Sequence, residues 1–295
     1  MSVRCVLKDV GPGLGEGPCW WKERGLLLWV QINKSKVGLF DPKTSLNRFL
    51  DLPARVGAVV PTSEGDLLAA TASGFLRIDP DSGTITQLMD PEADKEGNRF
   101  NDGKCDPWGR FWAGTMAYNF EGGAGSLWRL DPNGKVSLQR SNVTCSNGLA
   151  WSIDRKKMYY IDSPTLQVVA FQLNEDGEIV GEEPAVCIRI PEDWGCVPDG
   201  MTIDAEGKLW ICLFDGSSVT RWDPDTGALL RRLELPCKKV TSCTFGGEHL
   251  EKLYITTCRW DEDTASQPLA GCLFEADVGV KGLPTEYFRV EKAKT

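Results

Sequence analysis

The feature that most constrains this chain is an internal repeat. A short apolar strand with an aromatic near its end follows a charged or glycine turn in Glu23-Arg24-Gly25-Leu26-Leu27-Leu28-Trp29-Val30. It returns in Glu64-Gly65-Asp66-Leu67-Leu68-Ala69 (which lacks the aromatic), Trp108-Gly109-Arg110-Phe111-Trp112-Ala113 and Asp154-Arg155-Lys156-Lys157-Met158-Tyr159-Tyr160. The last copies are Glu206-Gly207-Lys208-Leu209-Trp210-Ile211 and Leu250-Glu251-Lys252-Leu253-Tyr254-Ile255, making six. Each is followed by an alternating strand, as in Val37-Gly38-Leu39-Phe40-Asp41-Pro42, Phe75-Leu76-Arg77-Ile78-Asp79-Pro80 and Val219-Thr220-Arg221-Trp222-Asp223-Pro224. Alternation over a few residues, bounded by Asp-Pro or Asp-Gly turns, is the pattern of half-buried strands. Neighbouring turns recur every ~40–50 residues, the length of a four-stranded propeller blade. The expectation is an all-β fold: a six-bladed β-propeller with four antiparallel strands per blade, forming a single domain over residues 1–295.

A second pattern runs at the same period. Glu16-Gly17-Pro18, Asn101-Asp102-Gly103, Asn147-Gly148-Leu149 and Asp199-Gly200-Met201 each set an oxygen-bearing side chain near a glycine, with a short apolar strand after it. Taken singly, such pairs read as turns, since Gly accepts positive φ and Asp and Asn tolerate it. Their shared phase suggests more. The first strands of the six units begin near Glu16, Gly57, Asn101, Asn147, Asp199 and Thr241-Ser242, and equivalent positions in a closed ring converge on its axis.

Composition narrows the chemistry. The formal charge is −9 and no basic block exceeds Arg155-Lys156-Lys157, which argues against nucleic acid and anionic membranes as partners. No apolar run approaches the ~20 residues of a membrane span, and MSVRCVLKDV has no signal-peptide core. A soluble, cytoplasmic monomer acting on a small molecule is expected. Eleven cysteines occur singly and read as free, buried thiols. The single histidine, His249, makes a histidine metal site impossible, and its place in a charged hairpin disfavours a Ser-His-Asp arrangement.

Glu16, Asn147 and Asp199 offer two carboxylates and an amide oxygen, a hard set suited to Ca²⁺, Mg²⁺ or Mn²⁺. Zinc prefers imidazole or thiolate. Arg99 and Asn101 have the groups to hydrogen-bond a polyhydroxylated or anionic substrate. From the residues alone, a ring of ordinary turns and a cation site both remain open.

At these residues the chain resembles the regucalcin/gluconolactonase (senescence marker protein) family, which also contains luciferin-regenerating enzymes. The matching runs are Gly15-Glu16-Gly17-Pro18, Asn98-Arg99-Phe100-Asn101-Asp102-Gly103-Lys104, Ala113-Gly114-Thr115-Met116, Ser146-Asn147-Gly148-Leu149 and Pro198-Asp199-Gly200-Met201. The resemblance implies a six-bladed propeller with one divalent cation (Ca²⁺, Mg²⁺, Mn²⁺ or Zn²⁺) on Glu16, Asn147 and Asp199. It implies Asp199 as general base and a sugar-lactone site at Arg99, Asn101 and Glu121. The stretch around Glu121 is a shortened variant of the family's pattern. The expected activity is metal-dependent hydrolysis of an aldonolactone such as gluconolactone. Alternatives are another hydrolase on the same metal, luciferin-regenerating or phosphotriesterase-like, and a non-catalytic calcium-binding protein.

Overall fold

The protein is described by a computed structural model that covers every residue except Met1, 9–12, 261–264 and 292–295. The described residues hold no α-helix, only 3₁₀ turns at Ile32–Lys34, Ser163–Thr165 and Glu192–Trp194.

The strands follow the repeat. After β1 (Val3–Leu7) come β2 (Gly13–Trp21), β3 (Leu26–Gln31), β4 (Lys36–Asp41) and β5 (Leu46–Asp51), hydrogen-bonded in that order. Separate four-stranded antiparallel sheets then form from β6 (Val56–Pro61), β7 (Leu67–Thr71), β8 (Gly74–Ile78) and β9 (Ile85–Met89), and from β10 (Asn98–Cys105), β11 (Phe111–Ala117), β12 (Gly125–Leu130) and β13 (Val136–Val143). The next sheet comprises β14 (Ser146–Trp151), β15 (Lys157–Asp162), β16 (Gln167–Leu173) and β17 (Ile179–Arg189). Another comprises β18 (Val197–Ile203), β19 (Leu209–Phe214), β20 (Ser218–Trp222) and β21 (Leu229–Glu234). In the last group β22 (Val240–Gly246), β23 (Lys252–Arg259) and β24 (Leu273–Asp277) pair in sequence, and β1 adds antiparallel to β24. Among the described residues, this group joins the β2–β5 sheet through the pairs Gly13↔Arg259 and Leu14↔Cys258.

The apolar core lies between sheets. One cluster packs Ala58, Leu68 and Phe75 against Phe100, Phe111 and Leu130, joining two neighbouring sheets. Another sets Trp20, Leu27 and Trp29 against Tyr254 and Leu273, so the last group packs on the first. The innermost strands contact one another in the cycle β2, β6, β10, β14, β18, β22 and back to β2. No disulfide joins any of the eleven cysteines, as expected. The Asp-Pro turns are hairpins: Asp79 accepts the backbone N–H of Asp81 at 2.8 Å, between β8 and β9.

The Asn-Gly and Asp-Gly pairs are not turns. They lie inside β10, β14 and β18, and every innermost strand shifts register there: between Glu16 and Cys19, Val56 and Ala58, Phe100 and Gly103, Asn147 and Leu149, Pro198 and Met201, and Val240 and Ser242. A bulge bends a strand and re-aims side chains. Glycine is needed for closeness. A Cβ on Gly57 would meet the Asn101 carbonyl oxygen at 2.1 Å, and one on Gly200 would meet Ser242 Oγ at 2.0 Å.

The segment from Lys281 crosses the ends of the sheets. Ala205 N donates to Lys281 O, Phe288 N to Pro61 O, and Arg289 N to Gly109 O, at 2.8, 3.1 and 2.9 Å. Because no side chain fits at Gly57 without moving β10, Gly57→Ala should destabilise the protein by ~2 kcal/mol, typical of overpacking. A lower urea midpoint with an unchanged slope would show it; an unchanged midpoint would mean the strands are not held this tightly.

Candidate metal and substrate site

The bulges bring Glu16, Asn101, Asp102, Asn147 and Asp199 into one buried cluster, with exposures of 4%, 6%, 5%, 3% and 6%. Glu16 Oε2 accepts the N–H of Gly17 at 2.8 Å and Asp102 Oδ1 that of Gly103 at 2.7 Å. The carboxyls of Glu16 and Asp199 are close enough to act directly on each other.

These carboxyls are short of donors. Two structural aspartates show the contrast. Asp106 accepts from Trp108 N, Arg110 N, Arg110 Nε and Trp112 Nε1, all within 3.0 Å. Asp204 is served likewise by Glu206 N, Lys208 N, Trp210 Nε1 and Arg221 Nε. Burying a carboxylate without such partners favours its neutral form. Burial, reinforced by Asp102, pushes Glu16 up to about 8. Asp199 is driven well above the usual carboxylate range by burial and then by the charges of Glu16 and Asp102, and Asp102 is raised by burial.

This donor set fits a divalent cation. Among the described residues the buried carboxyls of Glu16 and Asp199 have no cationic side chain within ion-pair distance, and the Asn147 amide, equally buried, adds a neutral oxygen to the same cluster. Among the described residues no three His, Cys, Asp or Glu side chains form a metal cluster, so the amide oxygen and water would have to complete the coordination. The thiols contribute no nucleophile: burial raises both Cys19 and Cys145 to about 12.

Arg99 lies alongside, 8% exposed, donating to Phe100 O at 3.0 Å and Asn101 Oδ1 at 2.7 Å. Burial lowers its pKa. Among the described residues no carboxylate lies within ion-pair distance of it, so its remaining N–H groups are available to a ligand. Arg55 stacks over the exposed Tyr118 ring at 4.9 Å, and both act electrostatically on Arg99.

The remaining expectations divide. Glu121 is exposed in the connection between β11 and β12; its N–H bonds to Asn119 Oδ1 at 3.1 Å, and among the described residues no hydrogen bond or ion pair links it to the cluster. His249 is exposed beyond β22, with its N–H on Glu251. Asp102 stands within a motif read from the sequence, yet its burial against Glu16 and Asp199 was not foreseen. Asp102 also lines a cavity of about 320 Å³ on the C-terminal side of the bulges, with Lys104, Trp151, Thr202 and Phe245. There Lys104 Nζ reaches Met201 O at 2.6 Å, from β10 to β18.

With this geometry in hand, similarity to known proteins is informative. The profile described as "SMP-30/Gluconolactonase/LRE-like region" matches residues 14–259. The chain belongs to this family. A Bacillus subtilis (strain 168) protein, provisionally named a sugar lactone lactonase, is 38% identical over 93% of this chain and 94% of its own. Regucalcin of Oryctolagus cuniculus is 38% identical over 96% of this chain and 97% of its own. The crystal structure of a calcium-binding regucalcin from Agrobacterium tumefaciens superposes with a TM-score of 0.92 at 28% identity, covering 98% of each chain.

The raised carboxyls set a pH dependence. Acids whose folded pKa lies above the unfolded value stabilise the fold at low pH, and that stability is lost as pH rises toward the folded pKa. In chelator, the protein should therefore be less stable at pH 8 than at pH 5, the loss spanning ~4 to 8 for Glu16. A saturating divalent cation should remove most of the difference, as urea midpoints at the two pH values would reveal; a chelated protein more stable at pH 8 would contradict the raising of these carboxyls by burial.

Proposed function

We propose that the protein is a divalent-cation-dependent lactonase that opens the ring ester of a sugar lactone by adding water. The observation that carries this reading is the donor-poor cluster of Glu16, Asn147 and Asp199 beside the unpaired guanidinium of Arg99. Membership of the gluconolactonase family supports the reaction class. The same reading takes the cyclic contact of the innermost strands as a six-bladed propeller of one domain, with the last blade completed by β1.

The cation, held by Glu16, Asn147 and Asp199, would supply Lewis acidity to the lactone carbonyl and to water; oxygen donors alone favour Ca²⁺, Mg²⁺ or Mn²⁺ over Zn²⁺. Because burial favours the neutral forms, a carboxyl of this cluster must lose its proton before it can act as ligand or base. Ionised Asp199 then accepts a proton from the water adding to the carbonyl carbon. The ring C–O bond breaks, and the proton passes to the departing alkoxide. Arg99 and Asn101 hold the sugar hydroxyls, which fixes the carbonyl against the attacking water. Glu121 joins this contact set only if its connection folds over the bound sugar.

Asp199→Ala should lower hydrolysis of gluconolactone by ~10³-fold or more, as loss of a catalytic base commonly does, with β-rich circular dichroism retained. Activity within a few-fold of the unmodified protein would sink the assignment. Arg99→Ala should raise KM for hydroxylated lactones while sparing simple aliphatic ones, and an equal loss on both would remove its sugar-binding role. A purified protein that binds Ca²⁺ but hydrolyses no lactone with any divalent ion would assign the site to cation binding alone.

A further inference from the structure

The clustered side chains form a chain of hydrogen bonds that runs in one direction. Arg99 Nη1 donates to Asn101 Oδ1 at 2.7 Å, and Asn101 Nδ2 donates to Asn147 Oδ1 at 3.1 Å. Asn147 Nδ2 donates to Ser163 Oγ at 2.8 Å, and that hydroxyl donates to Pro198 O at 2.6 Å. The links join β10 to β14, then to the 3₁₀ turn at Ser163–Thr165, then to the residue before Asp199 in β18.

Both ends of this chain have a fixed polarity. A guanidinium has donors only, so the Asn101 atom facing Arg99 must be its oxygen. Asn101 therefore presents its NH₂ to Asn147. At the far end a backbone carbonyl only accepts, so the Ser163 proton must point at Pro198 O. Ser163 Oγ then faces Asn147 as an acceptor, and only the Asn147 NH₂ can satisfy it. Amide orientation is normally assigned from its surroundings; here two independent neighbours require the same one. Ser163 is 4% exposed and has no other role in the cluster.

We propose that Ser163 is a positioning residue for the cation: by holding the Asn147 NH₂ on the β18 side, it keeps Oδ1 presented to the cluster. This rests on the proposed function in that Asn147 Oδ1 is taken as a cation ligand. Partners that orient a ligand from behind typically set ~10–100-fold of metal affinity. Because the chain starts at Arg99 and ends beside Asp199, Ser163 also links the sugar-binding side chains to the cation.

The test compares Ser163→Ala with Thr165→Ala. Thr165 is exposed in the same turn, and its hydroxyl bonds only to Asp162 O. Calcium affinity measured by calorimetry should fall ~10-fold or more in Ser163→Ala and stay within two-fold in Thr165→Ala. Independently, nuclear magnetic resonance of the metal-free protein should show the Asn147 side-chain NH₂ protons exchanging faster with water in Ser163→Ala alone. Unchanged calcium affinity in Ser163→Ala would overturn the proposal. An equal fall in both variants would do so too, since the turn rather than the hydroxyl would be responsible. If the unmodified protein binds no divalent cation, the proposed function fails on that measurement, and unchanged Asn147 exchange in Ser163→Ala then overturns this inference separately.

Discussion

The structure depends on how closely its innermost strands approach one another. Where β6 passes β10 and β18 passes β22, the space at Gly57 and Gly200 is smaller than a single Cβ. Strands this close cannot keep a regular ladder, and each takes a register shift at the same level. The shift turns the adjacent oxygen-bearing side chain inward. Packing and chemistry therefore have one origin: the glycine that permits the approach neighbours the residue that the approach re-aims.

Periodicity made much of this legible. The first repeat corresponds to β3, β7, β11, β15, β19 and β23, with an aromatic in all but β7, and the alternating repeat to β4, β8, β12, β16, β20 and β24. Strands buried on both faces by flanking sheets carry dense apolar runs, so they stand out. The outer strands were silent because they are half exposed; β9 is largely solvated, and Leu46 in β5 is 70% exposed. Taken singly, the Asp-Gly and Asn-Gly pairs do not reveal their place inside strands, because turn chemistry and close backbone approach both select glycine. Ser163 had no signal at all: its role comes from a contact between two sheets, which no local pattern encodes.

The two kinds of buried carboxylate clarify what a functional site looks like before any ligand is considered. Asp106 and Asp204 are wholly buried and saturated by turn amides, an indole and a guanidinium. They anchor turns. Glu16, Asp102 and Asp199 are nearly as buried yet share few donors, while Arg99 nearby lacks a carboxylate partner. Such an arrangement costs stability in the free protein, and it persists at one place, where six strands meet. Similar reasoning separates Lys104, which crosses to a backbone carbonyl, from the solvent-exposed ion pairs such as Arg24–Asp81, which are worth little.

The pairing of β1 with β24 has a consequence for how the chain is made. Val3 lies opposite Ala276, and Arg4 opposite Glu275, so two strands 271 residues apart along the chain must find each other. Contacts of that sequence separation are slow to form, and synthesis adds only ~5–20 residues per second. The intervening sheets can stack one by one as they appear, but β1 can pair only once β24 has formed. Until then β22–β24 lack their fourth strand, and the exposed edge of β24 is the surface a nascent chain must protect.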